Sequence, residues 1–497
     1  MRWLRKFSPP RKGSLLMTPA KLINALIDAY KRVAAPIQHW LRGHPNVRQW
    51  LGVFRLGLFQ FGVGLSLAPI TGTLNRVLID DLGIAAAIVA LLISLHYFIS
   101  PIRALIGYRS DKARSMGQWR TPYLVFGVML TYGGLATAPF ALILLSGEGT
   151  IPFWGALIIC IAIFLAYGMG INIVETIYLA LVSDITPPKS RGKVLAALWF
   201  MLIFGTVVSA IIVSNLLVDY SHGLLIRVMQ GSAIWFVILT VIALYNQERL
   251  RPDGTIIAQQ EVVRVRLSLW ESIRALGGQR VLQGLFGVLF IAMMAFATHD
   301  VLLEPYGGQV LGMSVAATMG LTALWGVANI GGVLAGAVLL WRKQSPALLI
   351  GVGCIIGLFG FGIISIASDV QLILPFEAGV VMISAGRGLF LIGSIVMMMS
   401  ITDVSHAGLL FGIWGVVQGL AQGFGTIGGG VLRDVVMAQT GNVALGYTAV
   451  YTTSLTLLLI AVFVLVFRLG KYLRVSDIKL PWSGSGLEEI PADQLAF

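Results

Sequence analysis

The sequence predicts an all-α membrane protein with twelve transmembrane helices in two related six-helix bundles and both termini in the cytoplasm. Three observations predict it: the composition, the spacing of the apolar runs and the placement of positive charge. Hydrophobic residues make up 57% of the 497 residues, and charged residues make up 11%. A soluble domain carries about 25% charged residues. The chain is therefore interpreted as a polytopic membrane protein.

Twelve apolar runs are long enough to cross a bilayer, because about 20 helical residues span its hydrocarbon core of about 30 Å. The runs cover 51–73, 84–106, 122–145, 153–182, 194–218, 225–245, 281–303, 314–340, 347–367, 376–401, 408–432 and 446–468. A longer polar connection follows the sixth run. The predicted organisation is a segment 1–49 with an amphipathic helix near 20–42, a bundle 50–246, a cytoplasmic linker 247–280, a second bundle 281–470 and a tail 471–497.

The orientation follows from positive charge, since Lys and Arg concentrate in cytoplasmic loops. Ten Lys or Arg precede the first run, and alternate connections and the tail continue this bias. Attraction to anionic lipid accounts for the net charge of +13, and nothing indicates a nucleic-acid partner. Cys160 and Cys354 lie in separate runs and are interpreted as small buried residues, outside any disulfide or metal pattern.

Internal similarity between the halves predicts a duplication. The string Leu82-Gly83-Ile84 corresponds to Leu311-Gly312-Met313. Asp184 and Asp403 stand at matching cytoplasmic ends of the fourth and tenth runs, where we expect each to accept hydrogen bonds at a helix end. Glycine-rich stretches at 326–336 and 423–430 predict close approach of neighbouring helices.

Ionisable residues at the end of the seventh run are the first candidates for a functional site. His299, Asp300 and Glu304 follow a long apolar stretch, where an ionisable group costs about 2.5–3.5 kcal/mol on insertion scales. Asp300 and Glu304 are spaced to share one helical face. They are predicted either to form a structural turn that pairs with Asn75 or Arg76, or to contact cargo. Arg76 itself is expected in a solvated cluster with two neighbouring acids.

Polar residues inside other runs complete the set of candidates for cargo binding. They are Gln60 in the first run, His96 in the second, Asn172 and Glu175 in the fourth and Arg387 in the tenth. His96 is either a hydrogen-bonded core histidine or a magnesium ligand. Glu175 is either a clamp between helices or a group that lines a cavity, and a pairing with Arg387 across the two bundles is one possibility considered. The chain shows no catalytic arrangement or metal spacing, so we expect no enzyme activity.

The connection after the second run resembles the signature loop of the major facilitator superfamily. Gly107, Asp111 and Arg120 stand where that loop has a glycine, an acid and basic residues, although its second glycine and tight basic cluster are altered here. Asp111 can accept from amides at a helix end and pair with a basic residue on a neighbouring helix. Such a contact would lock the two bundles together on the cytoplasmic side.

Several longer strings are similar to the bacteriochlorophyll-delivery family of that superfamily, which includes the PucC and LhaA light-harvesting assembly proteins. The strings are Leu58-Phe-Gln-Phe-Gly-Val-Gly64, Thr71-Gly-Thr-Leu-Asn-Arg-Val77, Trp119-Arg-Thr-Pro-Tyr123, Asp300-Val-Leu-Leu-Glu-Pro-Tyr-Gly-Gly308 and Ala407-Gly-Leu-Leu-Phe-Gly-Ile-Trp-Gly-Val-Val-Gln418. The resemblance implies a bacterial inner or intracytoplasmic membrane protein that assembles antenna complexes.

What this resemblance implies about cargo and partners remains an expectation. Cargo would be bacteriochlorophyll, antenna polypeptides or both, with no intrinsic cofactor. Partners would be membrane lipid, antenna polypeptides or the reaction-centre core, and pigment-synthesis enzymes. The alternatives are a secondary transporter that moves a small solute around a midplane site, and a scaffold that binds antenna or reaction centre without touching pigment.

Overall fold

The structure, a computed structural model, describes residues 45–100, 106, 120–147, 151–186, 191–245, 247, 280–370, 372–401 and 407–469. Of the sequence-based predictions, the amphipathic helix near 20–42 and the tail 471–497 lie outside these residues, as does nearly all of the linker 247–280. The secondary structure of the described residues is helical. Residues Leu56–Phe497 form one compact unit; the other unit, Met1–Arg55, contributes the first turns of the first helix.

Twelve helices follow one another along the described chain. They are α1 (Pro45–Ala68), α2 (Ala86–Phe98), α3 (Thr121–Thr137), α4 (Phe153–Ile185), α5 (Arg191–Leu216), α6 (His222–Leu244), α7 (Arg280–Ala297), α8 (Val315–Trp341), α9 (Pro346–Val370), α10 (Ile373–Ile401), α11 (Ala407–Thr440) and α12 (Val443–Phe463). Shorter helical segments extend α1 to Asp81, α3 to Leu145 and α12 to Leu469, and a separate short helix covers Leu303–Gln309.

Nine helices in the described part of the chain are long and apolar enough to cross a membrane. Two more apolar helices, α2 and the 283–297 part of α7, are shorter. Helix α11 is long, but glutamines and charged residues dilute its apolar character. The structure therefore shows a multi-pass membrane protein, and the number of twelve crossings and the cytoplasmic termini remain predictions.

Side chains of the preceding residues fix several helix starts. Ser221 Oγ accepts from Leu224 N at the start of α6, and Ser314 Oγ accepts from Ala317 N at the start of α8, both at 3.2 Å. Each bond pairs one of the amide groups that a first helical turn leaves without a partner. Both helices therefore begin at defined residues after short connections.

The predicted duplication is visible in two matching turns. Gly83 and Gly312 both have positive φ, at +64° and +63°. Ile84 N donates to Leu78 O at 2.9 Å, and Met313 N donates to Gly307 O at 2.8 Å, so each amide bonds the carbonyl six residues earlier. A left-handed glycine commonly closes a helix end, and in both turns the closing bond spans one residue more than usual. The correspondence between the two strings is confirmed.

Glycines also allow the close helix contacts that the sequence predicts. A Cβ atom at position 430 of α11 would lie 2.8 Å from Ala86 O at the start of α2. At position 332 of α8, a Cβ atom would collide with Ala385 O of α10. Backbones can approach this closely only where side chains are absent.

The seventh predicted span is interrupted, which corrects the sequence-based expectation. Helix α7 ends at Ala297, residues 298–302 form turns, and the short helix then begins at Leu303. Asp300 therefore lies in a turn and Glu304 in a separate helix, so the prediction that they share one helical face is wrong. Their side chains have different partners, as described below.

Candidate functional site

The connection after α1 and the connection after α7 meet at one end of the helices, and we call their contact the outer seam (residues 75–83 and 301–313). Asn75 Nδ2 donates to Val301 O at 3.0 Å and to Glu304 Oε2 at 3.4 Å. Thr322 Oγ1 of α8 donates to the other oxygen of Glu304 at 2.6 Å. Asn75 and Glu304 are buried, at 0% and 3% exposed. The predicted turn pairing is confirmed for Glu304 and Asn75.

Arg76 is buried within the outer seam, although the sequence predicts a solvated charge cluster. Its guanidinium contacts Asp80 and Asp81, each at 2.9 Å, and donates to Met313 O at 3.2 Å. The residue is 6% exposed. The expectation of a solvated cluster is wrong for Arg76, because the backbone of the other half covers it and two carboxylates compensate its buried charge. The two acid side chains are partly exposed.

A second buried arginine stands beside the seam on α11. Arg433 contacts Asp434 at 2.8 Å, bonds Gln309 Oε1 and lies 5.1 Å from the centre of the Tyr447 ring. Asp434 Oδ2 accepts from Ala87 N at 2.8 Å, at the start of α2. Sequence reasoning did not single out Arg433 as a candidate. Two adjacent charges near the end of an apolar run were the signal that could have found this cluster.

Asp300 pairs with Arg387 inside the C-terminal half. The carboxylate and guanidinium are 2.6 Å apart, and the Arg387 guanidinium also lies 5.4 Å from the centre of the Trp325 ring. Arg387 is nearly buried, whereas the Asp300 side chain is 24% exposed. The considered pairing of Glu175 with Arg387 is therefore wrong, because Asp300 neutralises the arginine. The pair brings together the turn after α7 and the middle of α10.

His299 is enclosed by aromatic rings. It is 1% exposed and lies 5.3 Å from Phe361 and 6.3 Å from Tyr451, measured between ring centroids. Among the described residues, its Nδ1 atom and the Tyr451 hydroxyl have no hydrogen-bond partner. The side chain is enclosed in this conformation, and a contact between His299 and cargo stays a prediction.

His96 and Asn172 bring α2 and α4 together in the N-terminal half. The His96 Nδ1 atom lies 2.8 Å from Ile93 O, and the Asn172 amide donates to His96 O at 2.8 Å and to Gly168 O at 2.7 Å. His96 is half-buried, and its ring centroid is 3.8 Å from that of Tyr97. Glu175, one helical turn beyond Asn172, is also half-buried. His96 and Glu175 are thus partly accessible on an apolar helix pair, whereas Asn172 is buried.

The remaining predicted residues have different outcomes. Gln60 is buried in α1, where its Oε1 atom has no hydrogen-bond partner among the described residues, and Arg120 is buried at the start of α3. Gly107, Asp111 and Asp403 lie outside the described residues. Asp184 lies in the last turn of α4, but its side chain is outside the described set. The predicted cytoplasmic lock and helix-end bonds thus stay predictions.

Cavities and metal-binding groups add no further candidate. A cavity of about 550 Å³ lies between α11 and α12, and none of the predicted site residues lines it. Cys160 and Cys354 are buried, which confirms the interpretation of both as buried residues. Among the described residues, no three His, Cys, Asp or Glu side chains are grouped to hold a metal ion.

The sequence matches the family model described as PUCC protein over residues 73–470. It is 36% identical to "Uncharacterized protein in puhA-bchM intergenic region" of Rhodobacter capsulatus, over 88% of this chain and 94% of that protein. It is 37% identical to Protein PucC of Rhodovulum sulfidophilum, over 79% and 87%. A "Bacteriochlorophyll synthase 44.5 kDa chain" of Rhodobacter capsulatus is 30% identical, over 78% and 88%.

Solved structures with a similar fold are membrane transporters. A D-xylose-proton symporter aligns with a TM-score of 0.61 at 16% identity, covering 83% of this chain and 96% of that one. A bacterial homolog of the human lysosomal transporter Spinster aligns with a TM-score of 0.61 at 14% identity, covering 86% and 98%. At such identities the likeness shows that this chain has the fold of major facilitator transporters. It shows nothing about what this chain binds.

Proposed function

Because the chain belongs to the PucC family, we propose that it is an integral-membrane assembly factor for bacterial light-harvesting complexes. Family membership is the observation that carries this proposal. The match covers most of the membrane part, and the relatives come from photosynthetic bacteria. The transporter-like fold is compatible with a secondary transporter as the alternative, but it does not favour one.

The proposed role is non-enzymatic. A protein of this kind would hold bacteriochlorophyll, antenna polypeptides or both while a complex forms. Its membrane helices contact lipid directly. Antenna polypeptides, the reaction-centre core and pigment-synthesis enzymes are the proposed protein partners. One relative is named as a chain of bacteriochlorophyll synthase, which supports a connection with pigment.

We propose His96 as the residue that contacts the magnesium of bacteriochlorophyll. When Nδ1–H donates to the carbonyl of Ile93, the lone pair of the neutral ring stands on Nε2. A histidine that binds a metal commonly donates its other N–H to a carbonyl in this way. His96 is half-buried, so part of this residue is accessible, whereas His299 and Glu304 are buried. Glu175 and Asp300 are the half-buried acids that remain candidates for polar cargo contacts.

Deletion in a phototrophic host tests the assembly role. We expect the absorption of the antenna complexes to fall in isolated membranes while bacteriochlorophyll synthesis continues, because assembly and not pigment supply is lost. Restoring the gene on a plasmid should restore the antenna bands. Normal antenna absorption in a clean deletion would overturn the proposed function.

The pigment role has its own test in the purified protein. We expect wild-type protein in a mild detergent to retain added bacteriochlorophyll through gel filtration, and His96→Leu to retain several-fold less. His222→Leu is the matched control, since His222 is exposed at the start of α6. Equal retention by wild type and His96→Leu would remove His96 from the site. No retention by wild type would favour a scaffold that binds only polypeptides.

A further inference from the structure

Among the described residues, seven hydrogen bonds that involve a side chain join the N-terminal and C-terminal halves at the end that contains the outer seam. Besides the Asn75–Glu304 contact, they run from Asn75 to Val301 O (3.0 Å), Arg76 to Met313 O (3.2 Å), Gln309 to Ile79 O (3.1 Å), Ser214 to Ala316 O (2.7 Å), Ala87 N to Asp434 (2.8 Å) and Thr73 to Met319 Sδ (3.1 Å). The charge pattern places this end on the periplasmic side.

The same end is packed with apolar side chains. Leu78, Ile79, Val301 and Leu302 are each at most 2% exposed. An outward-opening motion would expose these side chains to water and break the seven bonds together. Arg76 is held there by two acids of its own half and by a carbonyl of the other half, so separation would also remove one of its three partners.

The contacts also lie on both sides of the seam. Ser214 fastens α5 to the first turn of α8, and Asp434 fastens α11 to the first turn of α2. The two halves are thus joined at the connections and along both flanking helix pairs. Rocking of rigid halves, which is the way transporters of this fold alternate access, would have to release all of these contacts.

We propose that the outer seam stays closed throughout the working cycle, so that cargo reaches the interior only from the cytoplasmic side or laterally from the membrane. This deepens the proposed function and rests on it for the nature of the cargo. It predicts a membrane-soluble cargo, a pigment or an apolar helix, in place of a solute that crosses between two aqueous compartments. An outward-open state should hold fewer than about a tenth of the molecules.

Distances between spin labels measure this state directly. In a background of Cys160→Ala and Cys354→Ala, labels would be attached at Asp219→Cys and Gln439→Cys, two exposed positions at the outer ends of the halves. In lipid nanodiscs we expect one short distance distribution, unchanged by added bacteriochlorophyll. A second, longer distribution that holds more than about a tenth of the molecules, in either condition, would overturn the proposal.

A covalent lock gives the functional test. Ser214→Cys with Ala316→Cys would be joined by a short thiol cross-linker across α5 and α8, and antenna absorption would be measured in cells that contain the cross-linked protein. We expect antenna levels within about twofold of those in cells with each single-cysteine variant treated alike. Loss of antenna only in the cross-linked pair would overturn the proposal.

The gene deletion and the spin-label distances together separate this inference from the proposed function. If deletion of the gene leaves antenna levels normal, the assembly role fails, while the spin-label distances still report whether the seam opens. If the deletion removes the antenna but the distances show an open population, the assembly role stands and the closed seam fails.

Discussion

Asn75 and Glu304 occupy equivalent positions in the two halves of the chain, and their side chains meet at 3.4 Å. Each stands eight residues before the positive-φ glycine of its half, Gly83 or Gly312. In an interface with two-fold symmetry, a residue meets its own copy only at the axis. The outer seam therefore contains the internal two-fold axis. At this axis the Asn75 amide donates to the Glu304 carboxyl, where exact symmetry would place two identical groups.

The contacts next to the axis follow the same relationship. Ala87 and Ala316 are also equivalent, since both stand four residues after the glycine of their turn. Each is bonded from the other half, Ala87 N by Asp434 of α11 and Ala316 O by Ser214 of α5. The symmetry is preserved in position but not in chemistry, because a carboxylate accepts in one case and a hydroxyl donates in the other.

Asn75→Leu should destabilise the protein by about 1–3 kcal/mol, because Val301 O and the Glu304 carboxyl would lose their hydrogen bonds inside a dry interface. Thermal unfolding in a mild detergent measures the effect. Asn215→Leu is the matched control, since Asn215 is exposed and bonds only the carbonyl of Ile211 in its own helix. Equal melting temperatures for the two variants would contradict the importance of the axis contact.

Sequence reasoning could find the features that depend on neighbours along the chain. The apolar runs, the matching glycine turns and the family strings are all local. The Asn75–Glu304 contact is one of the pairings of Asp300 and Glu304 with Asn75 or Arg76 that were predicted as an alternative to cargo contacts. The break at residues 298–302 was missed because Val301, Leu302 and Leu303 follow the polar residues 298–300, so the apolar run was extended to residue 303. Hydropathy depends on side chains alone, so it does not show where the backbone hydrogen bonding of a helix stops.

Pairings between distant elements could not be read from the sequence. The sequence contains several acids that could pair with Arg387. The packing of α10 against the turn after α7 places Asp300, and not Glu175, beside the arginine. The burial of Arg76 depends on the backbone carbonyl of Met313, which a sequence pattern does not reveal. Gln309 and Arg433 are brought together by the packing of separate helices.

Glu304 should make stability depend on pH. It lies in the connection between α7 and α8, where burial raises the pKa of its carboxyl from 4.5 to about 8, against the opposing hydrogen bonds from Thr322 and Asn75. The folded protein therefore binds this proton more tightly than the unfolded chain. Its stabilising contribution is complete below pH 4.5 and is lost as the pH rises to about 8.

Unfolding measured between pH 4.5 and 8 checks this dependence. We expect wild type to lose on the order of 3 kcal/mol across the window relative to Glu304→Gln, whose amide cannot ionise. The variant also keeps an oxygen to accept from Thr322. Parallel stability curves for the two proteins would show that Glu304 does not titrate in this range.

The Asp300–Arg387 pair should show strong coupling in a double-mutant cycle. Asp300→Asn alone leaves a buried guanidinium without its carboxylate, and we expect a cost of about 3–5 kcal/mol. Arg387→Met alone should cost less, because the Asp300 side chain is partly exposed and can be hydrated. The double variant should be more stable than the sum of the two changes predicts. Additive losses in chemical unfolding would show that the pair contributes no coupling.

Two glycines should respond to alanine in opposite directions. At Gly308 a Cβ atom would collide with the Asp80 carboxylate and crowd Arg76, so Gly308→Ala should displace this ion pair and destabilise the outer seam by about 1–3 kcal/mol. At Gly320 in α8 no atom lies within 4 Å of the new Cβ, so Gly320→Ala should be neutral or stabilise the helix by up to about 1 kcal/mol. Thermal unfolding of both variants under one condition provides the comparison. If Gly308→Ala and Gly320→Ala change the melting temperature equally, Asp80 can move away from position 308 without loss of stability. The outer seam would then not depend on a glycine at that position.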